Sequence, residues 1–66
     1  MPTTIRWTDH QASDRTTEAA EEWGDIYDQI EDARRSGKRF IMVSNVADGN
    51  RTITVPADLI YEFKEA

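Results

Sequence analysis

Residues Thr4 to Thr8 alternate, with Ile5 and Trp7 on one side and Thr4, Arg6 and Thr8 on the other, which is the period of a half-buried strand. Asp9-His10-Gln11-Ala12-Ser13 has no periodicity and reads as a loop. Ser13 or Asp14 can accept a hydrogen bond from a free N–H of a following turn, so the pattern predicts a helix N-terminus near Arg15. Beyond it, Ala19, Trp23, Ile26, Ile30 and Ala33 recur at helical spacings with Tyr27 beside them, the stripe of an amphipathic helix. Arg34 and Arg35 suit the negative end of its dipole and Gly37 suits the left-handed position that closes it. The predicted helix runs from about residue 15 to 36.

Phe40 to Ser44 is a β-prone run, followed by the turn-rich Asn45-Val46-Ala47-Asp48-Gly49-Asn50 and the alternating Thr52-Ile53-Thr54-Val55. That order predicts a hairpin. In the tail, a period of two groups Leu59, Tyr61 and Phe63, whereas a short helix groups Leu59, Ile60 and Phe63. The β-branched and aromatic residues and the turn chemistry of Pro56-Ala57-Asp58 favour a further strand. The expected fold is α+β, a β-α-β-β-β domain with one helix packed on one face of a mostly antiparallel sheet of three to four strands.

One helix covers one face only. The run Phe40-Ile41-Met42-Val43 is apolar on both faces, so either Phe40 and Met42 or Ile41 and Val43 lie on the face the helix leaves open. A loop, the C-terminal segment, a second copy or a partner is then expected to cover that face.

With 66 residues the chain makes a single domain, spanning 1–66, because two cores would each be too small to fold unaided. It has no cysteine, so neither a disulfide framework nor a thiolate nucleophile nor a cysteine-based zinc site is available. The longest apolar run falls far short of the roughly 20 residues of a membrane-spanning helix. Met1-Pro2-Thr3-Thr4-Ile5-Arg6 shows no basic and apolar leader, and the expected location is cytoplasmic.

The net charge of −5 is concentrated. Residues 14 to 35 hold Asp14, Glu18, Glu21, Glu22, Asp25, Asp28, Glu31 and Asp32 against Arg15, Arg34 and Arg35, and acids and bases balance in the rest of the chain. On one continuous helix, Glu18, Glu21, Asp25, Asp28 and Asp32 fall within about 80° opposite the Trp23 and Ile30 stripe, with Glu22 and Glu31 flanking, over about 21 Å. Their like-charge spacings cost on the order of 1.5–3.5 kcal/mol at low salt, taking about 0.2–0.5 kcal/mol for each pair. A solvated, solubilising face is one reading. The other is a recognition surface in which spaced carboxylates imitate nucleic-acid phosphates and dock on a protein with a basic surface. Such a face repels phosphate, which argues against direct nucleic-acid binding.

Other constellations are weaker. Asp9, His10 and Ser13 invite comparison with a catalytic triad, but they crowd one loop of a chain too short to enclose a substrate. One histidine without cysteine makes no closed zinc site, and Asn45–Asn50 lacks the acids of an EF-hand loop. Asn50-Arg51-Thr52 matches a glycosylation sequon, and without a leader it reads as chance. Trp7 and Trp23 are expected in the core, with Trp7, if exposed, an interface anchor beside Arg6.

The sequence therefore predicts no enzyme and no cofactor, but a binder or inhibitor of another macromolecule, of the kind small phage or mobile-element proteins provide. Its expected contact residues are Glu18, Glu21, Glu22, Asp25, Asp28, Glu31 and Asp32. The alternatives are an assembly subunit that self-associates through Phe40 and Met42 or a hairpin edge, and a small-ligand binder in an oligomeric cleft.

Overall fold

The computed structural model describes residues 1–65. It is a small α+β fold with strands Thr3–Thr8 (β1) and Asp14–Ala19 (β2), helix Trp23–Ser36 (α1), and strands Phe40–Asn45 (β3), Arg51–Pro56 (β4) and Ile60–Glu65 (β5). The five strands form one antiparallel sheet in the order β4-β3-β2-β1-β5. The sheet thus has more strands than the sequence pattern predicted, and β2 is the addition.

The expected helix start near Arg15 is incorrect: 14–19 is a strand paired residue for residue with β1, from Thr8↔Asp14 to Thr3↔Ala19. Two local features decide it. Ala12 takes a left-handed φ of 62° and closes the turn, while the Asp9 carboxylate accepts the Gln11 and Ser13 N–H groups at 2.9 and 3.0 Å. Thr16 and Thr17 are β-branched, and Thr17 and Ala19 point into the core while Thr16 and Glu18 face solvent. The helix begins only at Trp23, where the Glu22 carbonyl accepts from the Ile26 N–H at 3.1 Å. It ends as expected: Gly37 has φ 72° and the Lys38 N–H reaches back to the Ala33 carbonyl at 2.8 Å.

The predicted hairpin is β3–β4, closed by a 3-10 turn at Val46–Asp48 and by Gly49 and Asn50, both with positive φ. The tail is a strand, β5, entered through a 3-10 turn at Ala57–Leu59.

That short connection shapes the sheet. β4 and β5 lie on opposite edges, about 19 Å apart if five strands lay flat at about 4.8 Å spacing. The chain from Pro56 to Ile60 reaches at most about 14 Å even fully extended, and its middle is wound into a 3-10 turn. The sheet therefore curls, and continuity gives way between β2 and β3, which pair only at Ala19↔Asn45, with the Ala20 N–H on the Ser44 carbonyl at 2.9 Å. Beyond that point, side chains serve the β3 edge. The Ser44 N–H donates to Glu21 at 2.9 Å and the Met42 N–H to Gln29 at 3.4 Å.

The core lies in the curl, formed by Ile5, Ala19, Ile26, Ile30, Ala33, Ile41, Val43 and Val55, with Trp7, Ile53, Ile60 and Phe63 packed against it. Each fully buried isoleucine or valine contributes about 1.5–3 kcal/mol relative to exposure. Trp7, expected in the core, is half-buried against its edge, its indole N–H on the Thr17 hydroxyl at 3.1 Å. Trp23 is not a core residue: it is 38% exposed at the head of α1, stacked on Tyr27 and Phe63, with its N–H on the Phe63 carbonyl at 3.1 Å. The two-sided run also resolves, since Ile41 and Val43 are buried whereas Phe40 and Met42 are exposed.

Candidate functional site

The seven carboxylates do not share one helix face. Glu18 stands on β2, on the sheet face away from the core. Glu21 lies in the link between β2 and α1 and is bound to Ser44, while Glu22 precedes the helix and pairs with the Met1 ammonium at 2.6 Å. Glu31 pairs with Arg34 at 3.6 Å. Asp25, Asp28 and Asp32 remain as an exposed stripe of α1, and they enter none of the ion pairs among the described residues.

The stripe is also turned from its expected direction. With Ile26, Ile30 and Ala33 facing the core, Asp25, Asp28, Gln29 and Asp32 are centred about 120° around the helix rather than opposite, at about 100° per residue. Gln29 bonds to Met42 and thereby identifies the direction: the stripe runs along the β3 flank of α1. Past it the charge reverses, because Arg34, Arg35, Lys38 and Arg39 follow within seven residues of Asp32.

Between α1 and β3 lies an open cleft of about 280 Å³. Ala33 and Ile41, both nearly fully buried, form its floor. Phe40 and Met42 form an apolar rim, 46% and 63% exposed, and His10 meets Phe40 edge-on at 6.4 Å. Gln29, Asp32 and Lys38 supply the polar groups. Sequence reading singled out Phe40, Met42 and Asp32 but not Gln29 or Lys38. The available signal was Gln29 itself, the uncharged member of an otherwise acidic stripe at positions 25, 28, 29 and 32.

The Asp9, His10 and Ser13 cluster is a turn. Asp9 accepts from Ser13, Gln11 and the Arg15 Nε at 3.0, 2.9 and 3.1 Å, and the Ser13 N–H, ahead of Arg15 and Gln11, holds its carboxyl below the ordinary aspartate value against a smaller opposing effect of burial. On the sheet face away from the core, Arg6 lies 3.7 Å from Glu62 and 5.7 Å from the centre of the Tyr61 ring. Among the described residues no three His, Asp or Glu side chains converge as metal ligands, and no helix is long and apolar enough to cross a membrane.

Compared with protein-family models, curated proteins and solved structures, the chain shows no match.

Proposed function

We propose that this chain is a small acidic protein-interaction module, without enzymatic activity of its own, that engages a macromolecule carrying a basic surface through the aspartate stripe of α1. One observation carries the reading: Asp25, Asp28 and Asp32 are held exposed at like-charge spacings, with no cation paired to them among the described residues. Pairs at these spacings repel by about 0.2–0.5 kcal/mol each, so the arrangement costs stability that a partner's cations would return. The stripe spans about 10 Å along the axis. That length suits one basic groove, whose nucleic-acid or other anionic ligand the module would displace as a mimic in the cytoplasm of a phage or mobile-element host.

Affinity capture with wild-type bait beside a D25K/D28K/D32K bait, each eluted with heparin, tests this. A partner held by the wild type alone and displaced by the polyanion is expected. Equal capture by both baits overturns the proposal.

A second reading, assembly through β3, draws on the exposure of Phe40 and Met42. It predicts a concentration-dependent increase in mass by light scattering that Met42→Glu abolishes.

A further inference from the structure

We infer that β4 is the edge through which two copies of this chain pair, antiparallel across a two-fold axis, to give one sheet continuous over both. This contact rests on the assembly reading, and it lies on the outer edge of the hairpin rather than on the exposed residues of β3.

The sheet order leaves β4 and β5 at the margins and opens a further pair of edges where β2 and β3 part. All but β4 are guarded. β5 shifts register against β1, carries Glu62, Lys64 and Glu65, and has its Phe63 carbonyl taken by the Trp23 indole. The β3 edge is served by Gln29 and Glu21. β2 exposes Asp14, Arg15 and Glu18, and a second β2 centred on Thr16 would set Asp14 against Glu18. β4 instead shows the exposed Thr52 and Thr54 with the half-buried Ile53 between them. Between residues 38 and 56 only Asp48 opposes Lys38, Arg39 and Arg51, so the acidic excess of the chain lies elsewhere and two copies meet here without opposing their carboxylates.

The direction of the β4 main chain follows from β3. Ser44 and Met42 point their N–H groups away from β4, to Glu21 and Gln29, so Asn45, Val43 and Ile41 bond to Arg51, Ile53 and Val55. Thr52 and Thr54 therefore turn N–H and C=O outward, where no strand lies among the described residues. Pro56 follows on that side, where its missing N–H is no loss, and ends the usable edge. One register uses what remains. With Ile53 on the axis, Thr52 of each copy exchanges both main-chain bonds with Thr54 of the other. Ile53 then meets Ile53 on the core side, the threonine hydroxyls adjoin on the outer side, and Arg51 faces Val55 rather than a like charge. An axis at Thr54 would set Thr52 against Pro56, which has no N–H to give, and an axis at Thr52 would set Thr54 against Asn50, which has left the strand at φ 62°.

Sedimentation equilibrium of the whole protein over a concentration series, with amide exchange read in parallel, tests this. A single strand pairing falls at the small end of interfaces, below about 1,200 Å², so the mass is expected to rise toward twice that of the monomer as concentration increases. The Thr52 and Thr54 amides slow with it, far more than the Ile53 amide, which already bonds to β3. T52K/T54K sets lysine against lysine and is expected to stay monomeric at every concentration. T52E/T54K sets an introduced glutamate against an introduced lysine in this register alone and restores the dimer. Both positions are exposed, so the variants keep the fold, which circular dichroism checks.

A monomer throughout the series overturns the β4 contact and the assembly reading together, and leaves the aspartate stripe as it was. A dimer that Met42→Glu dissociates and T52K/T54K does not moves the contact to the β3 face and overturns the β4 edge alone. Loss of the dimer in T52E/T54K as complete as in T52K/T54K overturns the two-fold register and with it the inference.

Discussion

Ser44 is bound to Glu21 twice, its N–H donating at 2.9 Å and its hydroxyl at 3.1 Å, so that a side-chain carboxylate takes the place of a neighbouring strand. The contact lets β3 leave β2 after one paired position without a half-buried donor losing its partner. Removing it by Glu21→Ala is expected to lower stability by about 1–3 kcal/mol, the range for a hydrogen bond to a charged group and the donor it strands. The urea midpoint and the exchange rate of the Ser44 amide measure this, and an unchanged exchange rate would show that β3 does not depend on Glu21.

Ile26 has no exposed surface and sits where α1 meets the sheet. Ile26→Val should cost about 0.5–1.5 kcal/mol and Ile26→Ala about 2–5 kcal/mol. In a domain this small the alanine variant is expected to be largely unfolded at 37 °C by circular dichroism, and the valine variant folded.

Gly37 closes α1 at φ 72° with open space around the position of a Cβ. Gly37→Ala therefore tests backbone strain alone, and a loss of about 1–2 kcal/mol is expected. Gly24, in an ordinary helical conformation and also unobstructed, should instead gain about 0.5–1 kcal/mol on substitution by alanine. Thermal melts of the two variants should move in opposite directions.

Asp9 titrates below the ordinary aspartate value in the folded chain, because the Ser13, Arg15 and Gln11 donors favour its ionised form. The unfolded chain therefore takes up its proton at higher pH than the folded one. The contribution of Asp9 to stability is full above the ordinary value and is lost as pH falls through the lower folded value. Urea midpoints measured from neutral pH down through that range should fall more steeply for the wild type than for Asp9→Asn. Parallel profiles would remove Asp9 from the account.

Asp28 has like charges at Asp25, Glu31 and Asp32, all at helical neighbour spacings. Asp28→Lys converts three repulsions into attractions and should stabilise the fold by about 1–3 kcal/mol at low salt, less at high salt. The same change should weaken partner capture. A variant more stable and equally competent would mark the stripe as a solvated surface.

The local pattern by itself determined β1, most of α1, the β3–β4 hairpin and the strand character of the tail, because alternation at Ile5 and Trp7, the spacing of Ile26, Ile30 and Ala33, and the Gly37 and Gly49 turns act within a few residues. The same pattern failed at 14–19. There, Ala19 matched the helical stripe numerically, while the pairing of Thr17 with Ile5 that makes the segment a strand lies outside any local window. That misreading extended the acidic face by about two turns. Which carboxylates stay free was decided only in three dimensions, by Ser44 on Glu21, Met1 on Glu22 and the placement of Glu18 on a strand. The cleft was equally out of reach, since it exists only because the short β4–β5 connection curls the sheet and sets β3 beside the Gln29 and Asp32 flank of the helix. Charge content is a property of the chain, but charge arrangement depends on contacts between residues far apart in it, and those form only when the core closes.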